Sequence, residues 1–210
     1  LLALIFSGII LGLSVAAPIG PVNIAVIRRG LVAGFFPAWM LGLGAAAADT
    51  FYVILVFLGL APILAESIPF RLALWFIGGA FLIYLGANSA RPTQVLANTA
   101  SDAPRAEPHP FLTGLGMTLL NPMTIVSWLA IGGAFFSSIA LVERGISGAM
   151  FVAGIFAGSA LWFSGIAVVL HFARRWVNDR ALRVVSLIAA LVLIAFGLGF
   201  IWQAIQTIKG

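Results

Sequence analysis

Six long apolar stretches make up most of this chain, and they constrain its fold more than any other feature. They run over residues 1–27, 31–61, 72–90, 111–142, 146–172 and 184–205. A helix needs about 20 mainly apolar residues to cross a bilayer, and a barrel strand only about 9–11. In lipid, backbone N–H and C=O groups must bond within the protein, which leaves helices as the fitting structure for runs this long. The sequence therefore predicts an all-α integral membrane protein with six transmembrane helices. Of 210 residues, 8% are charged and 62% hydrophobic, against about 25% and about 45–50% in soluble domains. So few charges cannot clothe a water-facing surface. A soluble enzyme, a nucleic-acid-binding domain and a disordered regulator are excluded, and the lipid bilayer is the expected solvent.

The joints between stretches are short except at 91–110, where Pro92, Pro104, Pro108 and Pro110 stand among polar and charged residues. That segment reads as a solvated linker, and it divides the chain into 1–90 and 111–210. Val15-Ala16-Ala17 resembles a leader cleavage site. No Lys or Arg precedes it, however, and the apolar run continues to Ile27, so an uncleaved helix is expected. The joints after spans one, three and five hold Arg28, Arg29, Arg91, Arg105, Arg174, Arg175, Arg180 and Arg183, whereas the other side holds Arg71, Arg144 and Lys209. Positive charge accumulates on the cytoplasmic side, which predicts a cytoplasmic linker and both termini outside. Trp176 and Trp202 stand near span ends, as interfacial anchors do. There is no cysteine, so thiol chemistry is excluded. With histidine only at His109 and His171, no metal site and no cofactor are expected.

The two halves resemble each other. Gly20-Pro21 in span one matches Asn121-Pro122 in span four. Gly34 and Gly44 in span two match Gly148 and Gly158 in span five at the same spacing. Leu82-Ile83-Tyr84-Leu85-Gly86 in span three matches Leu193-Ile194-Ala195-Phe196-Gly197 in span six. An odd number of spans per half inverts the second copy. The prediction is two inverted three-helix repeats, an architecture of secondary transporters whose sites lie at helices broken in both halves.

The breaks are visible in the residues. In Ala17-Pro18-Ile19-Gly20-Pro21-Val22-Asn23, each proline removes a donor and crowds the carbonyl four residues back, and Gly20 adds freedom. The half-helix that follows presents free N–H groups and a partial positive charge, which suits a carboxylate. Asn23 can donate and accept. Asn121-Pro122 repeats the device, with Thr124 and Ser127 on the following turns. Asp49 is the acidic residue deep inside a span, and such residues mark functional sites. It is expected to bind a cationic group or to carry a coupling proton, and Ala45-Ala46-Ala47-Ala48 before it offers a small face for close helix approach. Trp128 and Trp162 sit within spans and are candidate cavity-lining residues. Gly8-x-x-x-Gly12, Gly30-x-x-x-Gly34 and Gly154-x-x-x-Gly158 fit close packing, within one protomer or between two.

Gly12 to Asn23, Val26-Ile-Arg28-Arg-Gly30, the stretch ending in Ala48-Asp49, Phe111-Leu-Thr-Gly114 and Leu119-Leu-Asn121-Pro122-Met-Thr124 together resemble the LysE/RhtB amino-acid exporter family over essentially the whole chain. The resemblance implies efflux of amino acids across the bacterial inner membrane, driven by the proton-motive force, and assembly as homodimers. Gly20, Pro21, Asn23, Asp49, Asn121 and Pro122 match the family's motif positions. Ile19-Gly20-Pro21 departs from the commoner Pro-Gly-Pro and is similar to the basic-amino-acid branch, a lean towards lysine or arginine. That branch often carries Gln where this chain has Val22. Export of another small metabolite, or of an inorganic or metal ion, is the alternative on the same scaffold. Hard cations want several oxygen ligands and soft ones thiolate or imidazole, which one buried Asp does not supply. An intramembrane enzyme is not expected, because aspartyl proteolysis needs two carboxylates and only Asp49 is deep.

Overall fold

A computed structural model describes residues 1–59, 67–90, 109–139 and 146–209, with the backbone alone at 132–139 and 209. Among these, all regular structure is helical. The elements are α1 (Leu2–Ala16), α2 (Pro21–Ala33), α3 (Phe35–Phe57), α4 (Ile68–Ala90), α5 (Pro110–Leu119), α6 (Pro122–Ile139), α7 (Ile146–Ala173), a 3₁₀ turn (Arg174–Trp176) and α8 (Asp179–Lys209). α3, α4, α7 and α8 are each long and apolar enough to cross a bilayer. The pairs α1–α2 and α5–α6 bend by 82° and 64° at short breaks, so the described residues hold four candidate spans, or six if each bent pair is one. The linker expected over 91–110 lies outside the described residues up to residue 108.

Proline and glycine set the boundaries. Pro21, Pro110 and Pro122 each open a helix, the position where a missing N–H removes no intrahelical bond. α2 ends at Gly34, whose φ of 94° lies where L side chains are strained. One residue therefore turns the chain from α2 into α3. This corrects the expectation that span one ends at Ile27 with Arg28 and Arg29 in a joint. The helix after the break continues to Ala33, and both arginines lie within it, half-buried.

α3 is the most enclosed of the four long helices. Its neighbours are α2, α5, α6 and α7, while α1 lies along α7 and α4 along α8. Glycines permit the closest approaches. A Cβ on Gly8 or Gly12 would strike the backbone of α7 at Phe151 or Ile155, and one on Gly154 or Gly158 would strike α1 at Ile5 or Ile9. Two of the three small-residue pairs thus face each other inside one protomer, with Ser159 Oγ donating across the seam to the Gly12 carbonyl at 3.2 Å. Gly44 meets the backbone of α5 at Phe111 and Leu115, and Gly114 returns the contact at Leu41 and Ala45. The small face before Asp49 is therefore used for close approach. Without a hydrophobic drive between helices in lipid, such van der Waals contact is a main source of association. Large apolar side chains such as Phe6, Leu161, Val169, Leu187 and Leu191 stay exposed on the outer surface, as a lipid-facing surface requires.

Candidate substrate site at the paired helix breaks

The break between α1 and α2 leaves the carbonyl end of one helix and the N–H end of the next inside the bundle. Asn23, buried on α2, reaches back and donates through Nδ2 to the carbonyls of Ala16 at 2.9 Å and Pro18 at 2.8 Å. It thereby satisfies acceptors that the end of α1 exposes. Its own Oδ1 accepts from Trp162 Nε1 at 3.1 Å. Gly20 caps α2 with extended backbone (φ −128°) and no side-chain hydrogen bond. That conformation is open to any residue, so conformational freedom does not explain the glycine. A Cβ at Gly20 would meet nothing within 4 Å, so what glycine supplies is bare backbone beside the start of α2.

The break between α5 and α6 is arranged differently. Asn121 Oδ1 accepts from the Met123 N–H at 3.0 Å, and its carbonyl accepts from the Thr124 N–H at 3.0 Å. This helix start carries its own cap. Tyr52 on α3 donates its hydroxyl to the Leu119 carbonyl at the end of α5. Tyr52 lies three residues after Asp49, on the same helix face, a spacing by which the sequence could have flagged it.

Both breaks open on one cavity of about 360 Å³. Pro18, Gly20, Pro21 and Asn23 line it from the first break, Asn121 and Thr124 from the second, and Asp49 from α3. The cavity thus brings together residues from both breaks and from α3, while Pro122, the first residue of α6, is not among those lining it. Asp49 is buried, with Trp128 Nε1 donating to its Oδ1 at 3.1 Å. Trp128 and Trp162 were candidates for the lining. Neither is among the residues lining this cavity; each instead holds a polar side chain that is, Asp49 or Asn23. Buried indoles need a partner for their N–H, and here the partner is a site residue. Thr118, Phe163, Phe196 and Phe200 also line the cavity and were not anticipated. Nothing in their sequence spacing separates them from packing residues. Val22 lines it too, at the position noted for glutamine in the basic-amino-acid branch. His171 lies in the last turn of α7, exposed against the rings of Phe35 and Phe172, away from the cavity.

Comparison with known proteins identifies the family. Residues 13–204 match the family described as LysE type translocator. The chain belongs to the LysE-type translocator family. It is thus a member of a family of transporters and a multi-pass membrane protein. Among curated relatives, Bacillus subtilis YcgF, named for amino acid efflux, is 33% identical over 97% of this chain and 98% of its own length. The arginine exporter ArgO of Enterobacter sp. is 26% identical over 100% of this chain and 99% of its own. A Pseudomonas aeruginosa relative named chemotactic transduction protein ChpE is 28% identical over 83% and 86%. No solved structure matches the chain.

Proposed function

We propose that this LysE-type translocator exports amino acids across the bacterial inner membrane as a proton-driven secondary transporter. The observation that carries the reading is one cavity holding both a buried carboxylate, Asp49, and a helix start without a side-chain cap, at Gly20-Pro21. An amino acid is a zwitterion. Its carboxylate suits the N–H groups at the start of α2, and its ammonium suits Asp49. Two relatives whose names specify amino acid efflux and arginine export, aligned over nearly their whole length, support the substrate class. The ArgO likeness makes lysine and arginine the first substrates to try.

The mechanism we propose is alternating access of two inverted three-helix repeats, 1–90 and 111–210, joined by a cytoplasmic linker at 91–110, with both termini periplasmic. Reciprocal contacts support the repeat. Gly86 approaches the Ala190 carbonyl and Ile194, and Gly197 approaches the Gly79 carbonyl and Ile83. Each pair is the other's counterpart if Gly86 is matched to Gly197. Likewise α1 lies against α7 as α5 lies against α3, which is what exchanging the halves would produce. Proton and substrate then compete for Asp49. A proton arriving from outside releases the cargo there, and cargo binding inside releases the proton.

The test is efflux from cells preloaded with dipeptides, with an amino-acid panel read outside. Export of a basic amino acid that vanishes in an Asp49→Asn variant with normal insertion, and collapses with an uncoupler, is expected. Full export by that variant overturns the role of Asp49. Export that persists with the uncoupler overturns proton coupling.

A further inference from the structure

Hydroxyls in apolar helices ordinarily bond back to the carbonyl four residues earlier. Among the described residues Ser14 does so to Ile10, Thr50 to Ala46, Ser89 to Leu85, Thr113 to His109 and Thr207 to Gln203, at 2.7 to 3.1 Å. Thr118 departs from them. It is 4% exposed, lies in the last turn of α5 and lines the cavity, yet its Oγ1 has no hydrogen-bond partner. A buried hydroxyl left this way is costly, and a back-bond to Gly114 would have relieved it.

We propose that Thr118 is a substrate ligand, its hydroxyl accepting a hydrogen bond from the ammonium group that Asp49 neutralises. This rests on the amino-acid reading above and names the residue that completes its cationic end. The two breaks divide the work by polarity. At the first, Asn23 occupies the Ala16 and Pro18 carbonyls and the following helix start has no side-chain cap, so the break offers donors. At the second, Asn121 caps the following helix start and Tyr52 takes the Leu119 carbonyl, which leaves the buried, unpartnered hydroxyl of Thr118, a residue lining the same cavity as Asp49, as the acceptor of that break. The end of a helix also carries partial negative charge, which favours a cation beside Thr118. The carboxylate of the cargo therefore faces the first break and its ammonium the second.

The experiment is counterflow of radiolabelled L-arginine, with L-leucine in parallel, in proteoliposomes holding wild type, Thr118→Val or Thr118→Ser. Thermal midpoints are measured without substrate. Valine keeps the shape and removes the hydroxyl, and serine restores the hydroxyl. We expect Thr118→Val to raise KM about tenfold, the order of one hydrogen bond to a charged group, with maximal rate within about twofold. Thr118→Ser stays near wild type. The midpoint of Thr118→Val is unchanged or higher, because valine removes a hydroxyl that has no partner in the empty protein. An unchanged KM in Thr118→Val overturns the assignment. So does a lowered midpoint in Thr118→Val that serine restores without a KM difference, since the hydroxyl is then structural. Wild type that exchanges neither of these, nor any other standard amino acid run through the same counterflow assay, overturns the amino-acid reading itself. That result is distinct from active wild type matched by Thr118→Val.

Discussion

The indole N–H of Trp128 and the Oδ1 of Asp49 are each buried, and each answers the other's need for a partner. A hydrogen bond to a charged group is worth about 1.5–3 kcal/mol when one partner is removed. Trp128→Phe keeps a ring in place but leaves that oxygen bare. The variant is expected to lose about 2 kcal/mol of stability, read as a lower thermal midpoint, and to export about tenfold more slowly. An unchanged midpoint would mean that the carboxylate finds another donor. Gly20 gives a complementary expectation. Its extended backbone accepts any residue and its Cβ position is empty, so Gly20→Val should insert and melt like wild type. The added side chain would then crowd the start of α2, and KM for the exported amino acid should rise at least about tenfold. Normal kinetics in Gly20→Val would remove the anion role from the first break.

At the scale of elements, the seam between α1 and α7 depends on absent side chains rather than present ones. A Cβ at Gly12 would run into the Ile155 carbonyl and the Ser159 amide, which are backbone atoms that cannot step aside. Gly12→Val is expected to cost about 3 kcal/mol through overpacking, read as detergent-solubilised protein with a markedly lower thermal midpoint. Gly199 on α8 provides the contrast. A Cβ there meets nothing within 4 Å, so Gly199→Ala should match wild type or gain up to about 1 kcal/mol from helix propensity. If both variants behave alike, the seam is looser than its geometry indicates. The bends of 82° and 64° have local causes in the same spirit. Pro21 and Pro122 each begin a new helix and cannot donate to the old one, while Asn23 and Tyr52 take up carbonyls that the interruptions leave.

For the whole molecule, the two readings of the bent pairs make opposite statements about sidedness. If each pair is one span, residue 2 and residue 109 lie on opposite faces of the membrane. If each is a re-entrant loop, with four spans in all, they lie on the same face. The chain has no cysteine, so single substitutions report cleanly. With six spans, Leu2→Cys should react with a membrane-impermeant maleimide in intact cells with a permeabilised outer membrane, and His109→Cys only after the inner membrane is opened. Labelling of both from outside would reduce the span count to four and withdraw the inverted repeat.

Much of this protein was legible as a string. The lengths of the apolar runs determined a helical membrane protein, because lipid leaves unpaired backbone no other partner. Prolines at matching places, after Gly20 in one half and after Asn121 in the other, located both breaks, since the constraint proline imposes on a helix is local and needs no neighbours. Asp49 stood out because a charge at that depth is costly wherever the helix packs. Other features belong to the tertiary structure alone. Arg28 and Arg29 fell inside α2 rather than in a joint, because charge marks where side chains find water or partners and not where a helix stops. Trp128 and Trp162 turned out to hold Asp49 and Asn23, across 79 and 139 residues of chain. Thr118 became distinctive only when its buried hydroxyl was found without a hydrogen-bond partner. Hydrogen-bond partners from separate helices are chosen by packing, which brings together residues that share no spacing in the chain.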